Sequence, residues 1–316
     1  MKTKSLLIIG GTGFFGKSIL KYLLKKNFLK IKKIFILSRR KLELATYNKK
    51  LRKKFKIIKI NSNILTIKNL PKTDYVIYAA ILKNYKNDYK AVKNYLNLAK
   101  KYHLNSKVLY ISSGAIYGKQ LENTKGFKEN YFKFNNKISF KKGYKKEYSK
   151  IKLKNEKLFQ KFGKIGGKVS IARCFTFVGE FLPRKSQYAA GDFIKSILNN
   201  QNLNIKADQQ VIRSYMHEED LVRWLLKIIN YSSKNCPIYN VGSDNAISIS
   251  KLANLLSRKY NLNVNLNNIK ISEKKFDKYV PNIQKAKREL NLINNYGALS
   301  AIIKTIDILK KNEKVN

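Results

Sequence analysis

The stretch Lys4-Ser5-Leu6-Leu7-Ile8-Ile9-Gly10-Gly11-Thr12-Gly13-Phe14-Phe15-Gly16 decides how this chain folds. Lys4 to Ile9 is a short, mostly apolar run of the kind that forms a buried strand of a parallel sheet. Glycines recur at 10, 13 and 16, and residues 18–24 behind them read as a helix. Strand, glycine-rich turn and helix, in that order, form the context in which such glycines hold a dinucleotide. Gly10 permits the tight turn, Gly13 lets backbone approach a pyrophosphate, and Gly16 lets helix and strand pack closely. The helix start then presents N–H groups and the positive end of its dipole to phosphate.

The rest of the chain repeats the theme. Apolar strands are expected at 33–37, 55–60, 75–80 and 107–113, with a helix over about 89–102. Strands alternating with helices at this spacing imply βαβ units and an α/β, doubly wound parallel sheet. Residues 119–142 are polar and poorly periodic, and read as a long loop. A helix at 148–162 and a strand at 168–177 follow. Beyond Gly179 strict alternation is lost: helix 192–198, strands 203–205 and 212–216, helix 219–229, helix 249–260 and a last helix over 297–310. The expected division is a dinucleotide-binding domain at 1–178, to which 211–243 returns, and a smaller interleaved C-terminal lobe at 179–316.

Composition excludes several classes. With 316 residues, 44% of them hydrophobic, a sizeable core is available and disorder is not expected. Cys174 and Cys236 are distant and match no metal or redox spacing, so neither a metal site nor a disulfide scaffold is expected. No apolar run is long enough to span a membrane, and four apolar residues before a double glycine are too few for a signal-peptide core. The expected location is cytoplasmic. The chain carries 67 Lys+Arg against 19 Asp+Glu, a formal charge of +48. Only nine of the basic residues are Arg, and the 58 Lys are spread along the whole chain. Lys, Asn, Ile and Tyr all have AT-rich codons, so base composition is a sufficient cause for most of the charge. Nucleic-acid sites lean on the planar fork of Arg, and a polynucleotide partner is not expected. The charge would still steer small polyanions toward the protein.

Two further stretches bear on chemistry. The second strand ends Ser38-Arg39-Arg40, without the acid that commonly bonds a ribose 2′-hydroxyl in NAD sites. Two cations there favour NADP over NAD. A Tyr-x-x-x-Lys spacing, which sets both side chains on one helical face, occurs at Tyr22/Lys26, Tyr89/Lys93 and Tyr148/Lys152. Chance alone predicts about four such pairs in so Tyr- and Lys-rich a chain, so the spacing is no evidence by itself. Context separates them: only Tyr148 follows the fifth strand, whose end is Ser112-Ser113.

These pieces together resemble the extended short-chain dehydrogenase/reductases, in particular the NAD-dependent epimerase/dehydratase family acting on nucleotide sugars. Matching segments are 10–16, 74–80 (DYVIYAA), 109–118 (LYISSGAIYG), 148–152, 212–220 (IRSYMHEED), 239–243 (YNVGS) and 279–290 (YVPNIQKAKREL), in family order over nearly the whole chain. The resemblance implies a Rossmann-type sheet. It implies that Gly10, Gly13, Phe14, Phe15, Gly16, Ser38, Arg39, Asn63, Ala79, Ala80, Tyr148 and Lys152 line the NADP or NAD site. Asn63 stands where an Asp is usual near the adenine. Tyr148 would be the acid/base. A free phenol titrates near 10, and Lys152, one turn on, would lower that by its charge while holding the cofactor's ribose. Ser113 would hydrogen-bond the reacting oxygen, and Arg213 would meet the substrate diphosphate. Phe175, Val178 and Tyr188 would line the nucleotide-sugar side or belong to the core. His103 and His217 read as structural. A homodimer through the helix ending near Tyr102 and the Tyr148 helix is the implied assembly, and surface-polysaccharide synthesis the implied setting.

The reaction class is narrowed by departures from the family pattern. The 4,6-dehydratases carry acidic residues directly after the catalytic hydroxyl residue, where this chain has Gly114 and Ala115. Elimination of water without that acid or base is hard to support. A nucleotide-sugar epimerase and a 4-ketoreductase remain, both working at C4 of a nucleotide-linked hexose. The alternatives are a 4,6-dehydratase after all, or a non-catalytic dinucleotide-sensing or RNA-associated module of the same fold.

Overall fold

The computed structural model describes residues 3–40, 42, 47–120, 125–131, 144–183, 188–207, 209–265 and 272–313. Strands β1 (Lys4–Ile9), β2 (Ile31–Leu37), β3 (Lys56–Ile60), β4 (Tyr75–Tyr78), β5 (Lys107–Ser113) and β6 (Lys168–Cys174) come first. They are followed by β7 (Phe177–Val178), β8 (Leu203–Asn204), β9 (Gln209–Ser214), β10 (Met216–His217), β11 (Ile238–Val241), β12 (Ala246–Ser248), β13 (Val264–Asn265) and β14 (Ser272–Tyr279). The helices are α1 (Phe14–Lys25), α2 (Asn48–Lys54), α3 (Tyr85–Tyr102), α4 (Tyr144–Lys164), α5 (Ala189–Leu198), α6 (Glu218–Asn230), α7 (Ile249–Tyr260), α8 (Gln284–Leu290) and α9 (Ala298–Glu313).

The chain divides into two compact units. One comprises Met1–Gly118, Phe140–Cys174 and Val222–Tyr239, the other Lys119–Ser139, Phe175–Leu221 and Asn240–Asn316. A seven-stranded sheet runs β11-β6-β5-β4-β1-β2-β3. Its pairs from β3 through β6 are parallel, with Ile9 opposite both Leu37 and Tyr78, and Ser113 opposite Cys174. This is the doubly wound sheet that the alternating pattern predicts. Leu6, Leu7, Ile8 and Ile9 are all fully buried, as a central strand covered on both faces requires. Strand order reverses between β1 and β4, the place where sheets of this kind open a crevice at their carboxyl ends.

Beside the sheet lies an aromatic cluster. Tyr110 stacks on Phe159 at 4.4 Å, and Tyr78 approaches Tyr95 and Phe159 at 5.2 and 5.7 Å. The second unit has its own core, in which Phe193, Leu252, Leu256, Ile302 and Ile306 are buried. Its strands form a sheet β12-β9-β14 and the pairs β10-β7 and β13-β8.

Several boundaries differ from those the sequence suggests. Helix α3 starts at Tyr85 rather than 89, because Asn84 caps it by accepting from the Asn87 N–H at 3.0 Å. Strand β4 ends at Tyr78; the Ala79 N–H still donates to the Ile9 carbonyl at 2.9 Å before the chain leaves the sheet. The strand expected at 168–177 is broken after Cys174 into β6 and β7. Helix α2 gave no signal, since Leu51 is the one apolar residue in NKKLRKK. Of the expected loop at 119–142, residues 121–124 and 132–142 lie outside the described residues.

Candidate active site

Three structural elements of the first unit converge on the glycine turn. The Gly10 N–H donates to the Leu37 carbonyl of β2 at 3.0 Å, and Gly10 has φ +85°. A Cβ on Gly10 would come within 2.8 Å of the Ala80 backbone, and one on Gly16 within 2.3 Å of the Gly11 carbonyl oxygen. Both positions therefore require glycine for the fold itself. Gly13 differs: its φ is −85°, and a Cβ there would meet nothing closer than 3.5 Å. It caps α1 without a side-chain hydrogen bond. A glycine that the protein's own packing does not demand, placed at a helix start, leaves room for a phosphate.

Ser38, after β2, shares a 2.7 Å hydrogen bond with Thr12 of the glycine turn and accepts from the Arg40 N–H at 3.1 Å. The start of the Ser-Arg-Arg segment is thus tied to the turn, with Arg39 exposed. Asn63 turns its side chain back on its own loop, accepting from the Leu65 N–H at 3.1 Å. Ala79 and Ala80 line the β4 side of the Gly10 contact.

The catalytic candidates sit at the carboxyl end of β5 and on α4. In two of the three Tyr-x-x-x-Lys pairs a lysine is seen over the tyrosine ring: Lys93 over Tyr89 at 5.6 Å, and Lys152 over Tyr148 at 6.0 Å. Geometry within the pair does not single one out, but burial does. Lys26 and Lys93 are exposed, whereas Lys152 is only 5% exposed and donates to the Ile111 carbonyl at 2.9 Å. Ile111 lies two residues before Ser113 on β5, so one strand end carries both the anchor of Lys152 and the candidate hydroxyl. Ser113 accepts from the Ala115 N–H at 3.2 Å, capping a 3-10 turn at Gly114–Tyr117. Burial pulls the Lys152 ammonium below its usual range, and the carboxylate of Asp88 opposes that pull.

Sequence reasoning missed the groups that hold this arrangement. Ser149 donates to the Ala115 carbonyl at 2.8 Å, fixing the helix beside Tyr148. Glu156 receives Arg173 of β6 through a 2.8 Å ion pair and also accepts from Ser112. Arg173 reaches Tyr117 at 2.8 Å. Tyr85, at the start of α3, lies 6.4 Å ring to ring from Tyr148. Glu156 had a readable signal: positions 148, 152 and 156 form one stripe of a helix. The partners on β6 and α3 had none, because only the fold brings them near.

In the second unit, Arg213 is held by Asp277 at 2.9 Å and donates to the Ile212 and Asp277 carbonyls. Tyr188 precedes α5 and is 61% exposed. Phe175 packs on Tyr279 at 4.8 Å, and Val178 is fully buried in the core. His103 is buried against the Pro71 carbonyl at 2.9 Å, and His217 against the Tyr296 ring at 4.8 Å.

The sequence model of the NAD dependent epimerase/dehydratase family matches residues 6–242. No curated protein matches the chain by sequence. Among solved structures, the fold is similar to dTDP-glucose 4,6-dehydratase from Bacillus anthracis in complex with NAD, with a TM-score of 0.78, 17% identity, and coverage of 99% of this chain and 98% of that one. It is similar to UDP-glucose 4-epimerase from Thermotoga maritima with UDP-glucose, at TM-score 0.73, 16% identity, and 98% and 99% coverage. It is also similar to UDP-N-acetylglucosamine 4-epimerase from Methanobrevibacter ruminantium in complex with UDP-N-acetylmuramic acid, at TM-score 0.74, 17% identity, and 99% and 100% coverage. Among the described residues, no helix is long and apolar enough to cross a membrane.

Proposed function

The chain belongs to the NAD dependent epimerase/dehydratase family, and from that premise we propose that it is an enzyme carrying out oxidoreduction at C4 of a nucleotide-linked hexose. The observation that carries the reading is Lys152, buried behind Tyr148 and anchored on the strand that ends in Ser113. Tyr148 takes or gives the proton of the sugar hydroxyl, and Lys152 supplies the positive charge that makes a phenol usable for this near neutral pH. Ser113 hydrogen-bonds the same oxygen. A nicotinamide held in this site would supply the hydride chemistry. Gly10, Gly13, Phe14, Phe15 and Gly16, with Ala79 and Ala80, form the pyrophosphate end of its cradle. Asn63 is assigned to the adenine side of the cofactor. Arg213 and Tyr188 are assigned to the nucleotide sugar, and a homodimer through α3 and α4 is the proposed assembly.

Ser38 and Arg39 favour NADP, and with it a 4-ketoreductase that releases spent cofactor after each turnover. An epimerase would instead retain NAD through a closed cycle. Elimination of water is not proposed, since Gly114 and Ala115 offer no acid or base. Denaturing the purified protein and identifying the nicotinamide released separates the two. Near-stoichiometric NAD selects the epimerase; an empty protein that takes up NADPH selects the reductase; binding neither ends the enzyme reading. Tyr148→Phe is expected to abolish turnover on 4-keto or 4-hydroxy sugar nucleotides while cofactor affinity stays within about twofold of wild type. Undiminished turnover would remove Tyr148 from this role.

A further inference from the structure

A buried polar pair, Asp88 and Asn155, lies beside Lys152 and has no part in the chemistry assigned above. Asp88, in the first turn of α3, is 1% exposed, and Asn155 of α4 is fully buried. One Asp88 oxygen accepts from the Leu82 N–H at 2.8 Å, the other from the Asn155 amide at 2.9 Å. Asn155 is three residues beyond Lys152, on the same side of the helix. Asp88 is thereby held by the chain ahead of α3 and by α4, one helical turn from Lys152, and its charge acts on the lysine.

The need for such a group follows from what surrounds the ammonium. Its one hydrogen bond among the described residues is to the Ile111 carbonyl, and Tyr110 of β5 presents its ring at 5.1 Å. A buried ammonium with one acceptor is costly unless an anion stands near. The titratable groups facing it or coupled to its neighbours are Tyr148 and Glu156 on α4, Tyr110 on β5, Tyr78 on β4, Cys174 on β6 and Asp88 on α3. Burial pushes Tyr78, Tyr110 and Cys174 up, so all three stay neutral at working pH. Glu156 is bound to Arg173. Asp88 is the anion left over.

We infer that Asp88, held by Asn155 and the Leu82 N–H, is the counter-charge that keeps Lys152 protonated, and so is a positioning residue for the chemistry at Tyr148. The catalytic half of that statement rests on the proposed function; the electrostatic half does not. Asp88→Asn removes the charge while keeping an acceptor for Leu82, and the Asn155 amide can turn its own oxygen, unpartnered among the described residues, toward the new NH2.

The test is a pH titration of the full chain without cofactor, labelled with lysine carrying carbon-13 at Cε, the Lys152 resonance being assigned by its loss in Lys152→Arg. In Asp88→Asn the Lys152 midpoint is expected at lower pH than in wild type, and the alkaline limb of kcat/KM is expected to move down with it. Equal midpoints would reduce Asp88 to a loop anchor and overturn the inference. If Asp88→Asn does not fold, the wild-type titration decides. Burial raises the Asp88 carboxyl, so the Lys152 resonance should show a second step above the ordinary Asp range, and its absence overturns the inference equally. Unchanged turnover in Tyr148→Phe would sink the proposed reaction without touching this result.

Discussion

At Gly10, Gly13 and Gly16 the same residue type stands in two different surroundings. Gly10 is held at positive φ with the Ala80 backbone where a Cβ would go, and Gly16 is pressed on the Gly11 carbonyl. Gly10→Ala is therefore expected to cost about 1–2 kcal/mol from the φ alone, with more from the displaced backbone, and to lower the melting temperature. Gly13→Ala is expected to leave stability within about 0.5 kcal/mol of wild type while weakening dinucleotide binding at least tenfold. Thermal melts and cofactor titrations on the two variants check this. If Gly13→Ala bound as wild type does, Gly13 would not face the pyrophosphate. The spacing of these glycines was legible in the sequence because it reflects local geometry. Which of them the fold itself demands was not, because for Gly10 that depends on the Ala80 backbone, 70 residues further along the chain. Lys152 is similar: its spacing from Tyr148 was readable, but its burial, the property that sets it apart from Lys26 and Lys93, was not.

Among the secondary-structure elements, sequence reading succeeded where a strand or helix carries its own apolar period and failed where its ends depend on side-chain hydrogen bonds. Strands β1 and β5 match their expected bounds, whereas the start of α3 was set by Asn84, a polar residue with no periodic signature. The other end of α3 yields a pH effect. His103 caps it, fully buried, with Nε2 on the Pro71 carbonyl. Burial holds its ring below the ordinary histidine range, although the carbonyl opposes this. Below about pH 6.5 the unfolded chain takes up a proton there before the folded one does, so stability falls as pH drops through that window. His103→Gln is expected to melt lower than wild type at pH 8, with a gap that narrows at pH 5. A constant gap between the two pH values would show that His103 contributes packing without proton linkage.

Over the whole molecule the dominant fact is the +48 charge, carried by lysines along the whole chain. Like charges at this density repel one another in the folded state, and salt screens them over about 10 Å at 0.1 M. The melting temperature is expected to rise by several degrees between low salt and physiological ionic strength, and a melt insensitive to salt would show that the lysines lie too far apart to repel. The parallel, doubly wound character of the sheet was foreseeable from alternating strands and helices, but its strand order was not. The network of Glu156, Arg173, Tyr117 and Ser112 was not, since its members come from separate segments joined only by β5, α4 and β6. That network bears on how the protein is made. An ion pair sealed from water cannot be assembled one charge at a time, because leaving either partner buried alone costs about 3–5 kcal/mol. Docking of α4 on the sheet and closure of the pair thus favour each other, and a chain that has not completed them presents no aligned Tyr148 and Lys152. Partly folded molecules would be catalytically silent rather than weakly active.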